Sequence, residues 1–538
     1  MNHMLSLKET GKSTTGSLLT VFGEQLTAMT ALKTIKIVEL ADVAATERLG
    51  EDLSLVLKPG DVIALFGDLG AGKTSLVRAA IRALTEDDFH EVPSPTFTLV
   101  QSYDGRIRTS HFDLYRLADE AEVAELGFEE AAAAGAVFVE WPQRVVSVLT
   151  RANVAIEFRT SANGGRQAAV AASGDAIERI ERTLEIRDFL VSRDLPTNRR
   201  RHYTGDASSR RYERVEVDDG SLVLMDSPPQ PDGPPIRGGL PYSRLVHLAE
   251  DVRPFVAVSR ALSKAGFCAP RIREQDLERG LLLVSDLGTK SVLKEDGSPD
   301  PERYRAAVEC LARMHSGDWP HDLPIEGEAI HHVAAFDINA MMTEAELLLD
   351  WYVPDALGRV ATADERERFY EAWSLVFDEI ADAETNLVLR DFHSPNIIWQ
   401  PNAIGVARIG LIDFQDALIG PTAYDVASLA QDARVNIPPE LEASLVSTYV
   451  AARRAGNPGF KPFMFERDYA VMAAQRATKV LGIFVRLSVR DQKPQYRRHI
   501  PHVTGYLGRA LDHPTLAAVK SLYADWGIVG SKLTSRRA

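Results

Sequence analysis

The segment Gly67-Asp68-Leu69-Gly70-Ala71-Gly72-Lys73-Thr74 fits the pattern G-x-x-x-x-G-K-[ST]. Glycines at this spacing let successive backbone N–H groups curl around phosphate oxygens, and a helix that follows adds its N-terminal dipole. Gly67, Gly70 and Gly72 are therefore read as the phosphate cradle, Lys73 as the group reaching the β- and γ-phosphates, and Thr74 as a hydroxyl ligand for Mg²⁺. A second constellation stands far downstream. In Leu389-Arg390-Asp391-Phe392-His393-Ser394-Pro395-Asn396 the pair Asp391 and Asn396 forms D-x-x-x-x-N, and Asp413 follows 17 positions after Asn396. Moving a phosphoryl group onto a hydroxyl needs a carboxylate to orient or deprotonate the acceptor, and oxygen ligands for Mg²⁺. Asp391 suits the first task; Asn396 and Asp413 suit the second. The bland alternatives are a chance Gly-rich turn and two solvated turn aspartates, and the elements around each motif argue against both.

The first motif sits between Asp61–Phe66, a continuous apolar run of the kind buried in parallel sheets, and Thr74–Leu84, which reads as a helix. Around it, Thr34–Glu39, Thr96–Tyr103, Ile107–Asp113 and Ala136–Glu140 read as strands, and Ala41–Leu55 and Glu120–Ala134 as helices. Strands alternating with helices predict an α/β P-loop NTPase domain with a largely parallel sheet. A charged helix over Asp175–Arg193 holds the junction. Beyond it the character changes. Arg214–Met225 reads as strand–turn–strand, Ser227–Pro241 as a Pro- and Gly-rich loop, and the remainder as mostly helix, including Val252–Ala265, Pro301–Met314, Ala340–Asp350, Asp364–Asp382 and Ala423–Arg434. A hairpin of Ile397–Trp399 and Ala407–Ile412 brings the Asp391 and Asp413 loops together. This predicts an α+β two-lobed second domain. The expected division is a disordered tail over residues 1–31, a P-loop domain over 32–173, a linker helix over 174–186 and a kinase domain over 187–538.

Composition narrows the function classes. With 61 Lys and Arg against 76 Asp and Glu, the formal net charge is −15, which gives no global attraction to nucleic acid phosphates. A local basic patch is left open at Arg199, Arg200, Arg201, Arg210 and Arg211. Two distant cysteines, Cys268 and Cys310, exclude a disulfide framework and a Cys-based zinc site. No apolar run nears the ~18–20 residues that span a bilayer, and Met1–Leu32 lacks the hydrophobic segment and cleavage site of a secretion signal. The expectation is a cytoplasmic protein without a membrane partner.

After the phosphate loop come Ser94-Pro95-Thr96-Phe97-Thr98, His111-Phe112-Asp113-Leu114-Tyr115-Arg116-Leu117 and Val139-Glu140-Trp141-Pro142. In this order the set resembles the TsaE family, small ATPases of tRNA threonylcarbamoyladenosine biosynthesis. The resemblance implies Mg-ATP at Lys73 and Thr74, with Thr96 and Asp113 near the γ-phosphate and metal. It makes Glu140 the Walker-B-like acid, catalytic and metal-binding, and sets Trp141 near the nucleotide. It also implies TsaB- and TsaD-like partners, with tRNA contacted only indirectly. Read as residues alone, Asp113 could cap a turn and Trp141 could be packed core.

The downstream motifs resemble the aminoglycoside-phosphotransferase superfamily, kinases of small molecules, which implies a protein-kinase-like fold for the second domain. Thr204–Tyr212, Val223–Pro229, Leu282–Gly288, Asp350-Trp351-Tyr352 and Gly420–Asp425 look closer to its branch of anomeric N-acetylmuramate and N-acetylglucosamine kinases. That implies ATP, Mg²⁺ and an amino-sugar acceptor, with Gly205, Ser208 and Arg210 in the loop over the triphosphate. Glu344, Asp350 and Trp351 become the expected sugar contacts. Met225-Asp226 stands where most kinases place a phosphate-binding lysine, and Arg210 or Arg211 is read as the replacement charge. Asp425 is read as a structural anchor, and His315, His331 and His332 as core or surface residues. The leading expectation is thus a fusion of an ATPase with a sugar kinase. The alternatives are a kinase of another small hydroxyl compound (aminoglycoside, choline or homoserine) and a first domain that docks partners with little turnover of its own.

Overall fold

The structure is a computed structural model that describes residues 32–117, 121–161, 164–195, 199–203, 210–325, 327 and 329–529. The chain forms two compact units, residues 1–204 with 212–221 and residues 205–211 with 222–538, and each is described by itself. The expected tail over residues 1–31, and Gly205 and Ser208, lie outside the described residues.

In the first unit, β1 (Lys33–Leu40) and α1 (Val43–Ser54) precede the buried strand β2 (Val62–Phe66) and α2 (Lys73–Thr85). There follow β3 (Val100–Tyr103), β4 (Thr109–Asp113), the short α3 (Ala121–Glu125) and α4 (Phe128–Ala134), and β5 (Ala136–Glu140). The layer closes with α5 (Val146–Arg151), β6 (Val154–Thr160), β7 (Arg166–Ala172) and α6 (Ala176–Val191). The seven strands run in the order β1-β7-β6-β2-β5-β4-β3. The sheet is mixed rather than largely parallel. Only β2 with β5 and β6, and β4 with β5, pair in parallel, while β1, β7 and β3 pair antiparallel. Buried alternation in β6 and β7, with Ala168, Val170 and Ala172 facing the core, is what the sequence reading passed over. Two other expectations shift. Residues 96–99 form a turn, with Leu99 at φ 63, so β3 is shorter than the run Thr96–Tyr103. Gly127 at φ 73 breaks the expected single helix into α3 and α4.

Ala176, Ile180 and Leu184 of α6 join the core formed by α1, α2, β2 and β7. Arg179 forks onto the buried Asp61, and Arg187 onto the buried Asp52. The hairpin β8 (Arg200–Tyr203) and β9 (Arg211–Val217) pairs antiparallel within this unit. Of the expected basic patch, Arg199, Arg200 and Arg201 are each paired with carboxylates. Arg199 pairs with Glu51 and Asp88, Arg200 with Glu213 and Asp52, and Arg201 with Asp88 and Glu216. Carboxylates brought in from α1 and its surroundings neutralise charges that stand adjacent in sequence.

The second unit begins where β10 (Gly220–Asp226) pairs antiparallel with Leu281–Ser285, which in turn pairs with Ile272–Asp276. The helix Arg253–Lys264 packs beneath, its Phe255 stacked on Phe414 at 4.8 Å between ring centres. The body is helical, centred on Pro462–Val489, whose stretch from Ala470 to Gly482 is buried. Two small ribbons hold the downstream motif. Thr385–Val388 pairs with Leu418–Pro421, and Ile397–Trp399 with Ile409–Leu411. The second ribbon is shorter than expected because Gly405–Arg408 winds as a tight helical turn. The helix expected over Ala340–Asp350 ends at Ala345 and continues as a wider turn over Leu348–Tyr352. Among the described residues, no helix is long and apolar enough to cross a membrane.

Candidate active sites

Parallel register decides the first site. Leu65 of β2 and Asp113 of β4 both stand level with Glu140 of β5, so the loop after β2 and both carboxylates share the C-terminal edge of the sheet. Open α/β sheets bind ligands at that edge. Gly67 takes φ 137 and Gly72 φ 115, backbone that side-chain-bearing residues avoid. A Cβ at Gly67 would also meet Phe158 Cβ at 3.0 Å. Gly70 lies on the open side of the loop, and Gly72 opens α2 as its N-cap.

Lys73 is buried at the first turn of α2, with Nζ donating to the carbonyls of Gly67 at 2.7 Å and Asp68 at 2.9 Å. Its ammonium also stands 4.1 Å from the centre of the Trp141 ring, which packs on Tyr115. Burial lowers the pKa of Lys73, and the nearby carboxylates of Glu140, Asp113 and Asp68 partly offset that. Thr74 Oγ1 donates to Glu140 Oε1 at 2.7 Å, and Thr96 Oγ1 to Asp113 Oδ2 at 2.8 Å. Two hydroxyl–carboxylate pairs therefore face one lysine. This all-oxygen donor set fits Mg²⁺, which takes one or two carboxylates and completes its shell with phosphate and water.

Two participants carried no assignment in the sequence reading. His111 Nε2 lies 3.0 Å from Glu140 Oε1 in full burial, and it donates there because a carboxylate oxygen only accepts. Ser94 Oγ reaches Asp113 Oδ2 at 3.3 Å. His111 was within reach of the sequence, since it stands two residues before Asp113 and so on the same face of β4.

In the second unit, Asn396 Nδ2 donates to the Asp391 carbonyl at 3.0 Å and to Asp413 Oδ2 at 3.3 Å, which joins the two loops. Asp413 adopts φ 60, and its Oδ1 accepts from Gln415 and from Arg210, each at 3.0 Å. Burial raises the pKa of Asp413; Arg210 opposes this, and the carboxylates of Asp391 and Asp416 add to it. Several carboxylates crowding one loop fit a divalent cation, held by Asp413 and the Asn396 amide oxygen. Among the described residues no three His, Cys, Asp or Glu side chains converge as a preformed metal centre. A Mg²⁺ shared with nucleotide phosphates does not need one.

The Asp391 side chain is 44 % exposed, with His393 Nε2 at 3.8 Å. Partial burial works to raise its pKa, but the His393 imidazole beside it and the cations of Lys479, Arg476 and Arg390 outweigh that and hold the carboxyl below its usual range. Ionised, it can accept a hydroxyl proton. Asp425 accepts the backbone N–H groups of Leu389 at 2.6 Å and Arg390 at 2.9 Å, the anchoring role read from the sequence. Met225 and Asp226, in place of the usual lysine, are both buried in β10.

The three expected sugar contacts fall in different surroundings. Glu344 is fully buried and bonded to Arg390 and Lys479. Asp350 is 48 % exposed and paired with Arg366 at 2.6 Å, and Trp351 is half-buried beside it. Lys479 and Arg476, on the helix Pro462–Val489, act on Asp391 through their charge, and no local spacing announces them.

Known proteins bear on both units. The model of a family described as threonylcarbamoyl adenosine biosynthesis protein TsaE matches residues 40–168, and that of the phosphotransferase enzyme family matches residues 199–463. An N-acetylmuramate/N-acetylglucosamine kinase of Caulobacter vibrioides is 33 % identical over 354 residues, 62 % of this chain and 94 % of that protein. Its namesake in Pseudomonas aeruginosa is 35 % identical over 330 residues, 60 % of this chain and 87 % of the relative. A Treponema pallidum tRNA threonylcarbamoyladenosine biosynthesis protein TsaE is 38 % identical over 127 residues, 23 % of this chain and 93 % of that protein.

Proposed function

The chain belongs to the TsaE family through its N-terminal part and to the phosphotransferase enzyme family through its C-terminal part, and from that premise we propose two separate ATP-dependent activities in one polypeptide. It is an enzyme, a kinase fused to a P-loop ATPase. The functional domains are taken as residues 32–173 and 187–538, although α6 and the hairpin β8–β9 pack with the first unit, and the location as the cytoplasm.

The second activity is phosphorylation of N-acetylmuramate or N-acetylglucosamine at the anomeric hydroxyl, a step of peptidoglycan recycling. The observation that carries it is the bridge from Asn396 to both Asp391 and Asp413, which supports one base and one cation site side by side. Asp391 would accept the sugar hydroxyl proton as that oxygen bonds to the γ-phosphorus. The bond from the γ-phosphorus to its bridging oxygen breaks, and ADP leaves. Asn396 and Asp413 would hold Mg²⁺, whose charge would offset that of the phosphates, and Arg210, already against Asp413, would supply the cation that β10 lacks. An acceptor panel on the purified chain tests this. A sugar 1-phosphate from either amino sugar is the expected product, and turnover only with kanamycin, choline or homoserine would overturn the acceptor.

The first activity is ATP hydrolysis in support of tRNA threonylcarbamoyladenosine modification, with TsaB- and TsaD-like proteins as partners that hold the tRNA. Lys73 would meet the phosphates, Thr74, Asp113 and Glu140 would hold Mg²⁺, Glu140 would also serve as the catalytic Walker-B-like carboxylate, and Thr96 and Trp141 would line the nucleotide. Affinity capture of TsaB and TsaD by the full chain in ATP, lost with Lys73→Ala, is the expected result. Fast hydrolysis that ignores these partners would contradict it.

A further inference from the structure

Arg390, immediately before Asp391, adopts φ 67 with a long side chain attached, so its surroundings must hold it there. Its backbone is pinned from one side, by the N–H bond to Asp425 and by Ser428 Oγ at 3.4 Å from its carbonyl. Its side chain is pinned from the other. One guanidinium nitrogen donates to the Val246 carbonyl at 2.9 Å and another to Glu344 Oε1, with Arg390 only 2 % and Glu344 0 % exposed. Lys479 Nζ donates to that same oxygen at 2.7 Å and to Tyr424 Oη at 3.1 Å. Gln475 Nε2 takes the other carboxylate oxygen at 3.2 Å and the Met341 carbonyl at 3.0 Å.

One carboxylate thus ties three separate parts of the unit: the helix Ile338–Ala345 that carries it, the loop of Asp391, and the helix Pro462–Val489. The long helix approaches closely enough that a Cβ at Gly482 would lie 2.3 Å from the Leu347 backbone, which leaves little room for the tie to shift. Both oxygens of Glu344 are already engaged, and it has no exposure through which a sugar could reach it. We propose that Glu344 is a positioning residue for phosphoryl transfer: by engaging Arg390 and Lys479 together it fixes the backbone from which Asp391 projects and keeps both cations off the Asp391 carboxylate. Without it, two buried cations lose their shared anion, and Asp391 is a carboxylate within electrostatic reach of both.

The inference rests on the reading of Asp391 as the acceptor's base, and its test separates the two. Glu344→Gln in the full chain should lower kcat for N-acetylglucosamine phosphorylation about 100-fold, the scale of a misplaced catalytic group. KM for sugar and for ATP should stay within about twofold, and amide exchange over residues 388–396 should quicken while Leu281–Ser285 is unchanged. Glu344→Asp, which keeps the charge, should recover most of kcat. If the glutamine variant does not fold, the aspartate variant carries the test, with a smaller fall in kcat and faster exchange in the same loop expected. A raised sugar KM at full kcat would make Glu344 a substrate contact and overturn the proposal, as would exchange over 388–396 equal to wild type. If the wild-type chain phosphorylates no amino sugar, the acceptor reading fails, and the exchange result alone decides the role of Glu344.

Discussion

The two proposed sites would meet the same demand, positive charge beside phosphate, by opposite routes. In the first unit the cation is built into the loop: Lys73 stands next to the glycines and within a turn of Thr74, and its carboxylates arrive on two neighbouring strands. In the second, the strand position that would supply a lysine is apolar Met225 and buried Asp226, and the charge on Asp413 comes from Arg210, 203 residues away in the chain. A local loop motif needs one strand and one helix in place. An assembled site needs the whole fold, including the buried tie through Glu344, to be in register.

Exchanging single groups at each site sharpens that contrast. The largest expected effect is Asp391→Asn, which should cut phosphoryl transfer on the order of 1,000-fold, within the range for removal of a general base. Hydrolysis at the phosphate loop should be untouched in that variant, as radiolabelled ATP assays of both reactions would reveal. Glu140→Gln should lower ATPase activity by about 100-fold without changing sugar phosphorylation, because it weakens the Thr74 and His111 contacts together.

Acid should separate the two units. His315 is fully buried in the second unit, and burial, with the charge of Arg453 added, lowers its pKa to about 3. The folded state therefore keeps it neutral while the unfolded chain takes up a proton below its ordinary value of ~6.5. Stability is held above that value and lost as pH falls from there toward 3. At pH 5 the loss from this one group is about 2 kcal/mol. Calorimetry at pH 7 and pH 5 should show the second unit's transition falling, and His315→Asn should make that fall shallower.

The smallest expected effect is at Arg210. If it supplies the missing phosphate charge, Arg210→Ala should raise KM for ATP about tenfold, the worth of one charge-assisted contact. If instead it only neutralises Asp413, the same change would leave KM for ATP intact and tighten Mg²⁺ binding, which a metal titration of kcat distinguishes.

The unequal legibility of the sites follows from the same contrast. The loop from Gly67 to Thr74 was readable because its chemistry, its strand and its helix are contiguous, and His111 was within reach from the two-residue period of β4. The apolar run of β5 also locates Glu140 at a strand end, although β7, which pairs antiparallel with β6, went unread because its alternation is carried largely by alanines. In the second unit the D-x-x-x-x-N pattern and its later aspartate gave the loop residues. The partners that hold them, Arg390 through Glu344, and Lys479 and Arg476 from a helix some ninety residues on, have no spacing rule to announce them. Glu344 shows the limit most clearly. Its place in an acidic-aromatic stretch suggested a sugar ligand, whereas its side chain turns inward to two cations that only the tertiary fold brings near.

The central claim is that one chain holds two nucleotide sites, each working through its own residues. Its most direct test is to follow sugar 1-phosphate formation from N-acetylmuramate and N-acetylglucosamine, and ATP hydrolysis without sugar, in wild type, Lys73→Ala and Asp391→Asn. The predicted result is sugar phosphate kept in Lys73→Ala and lost in Asp391→Asn, with basal hydrolysis behaving the other way round. Sugar phosphate lost in Lys73→Ala, or retained in Asp391→Asn, would contradict it.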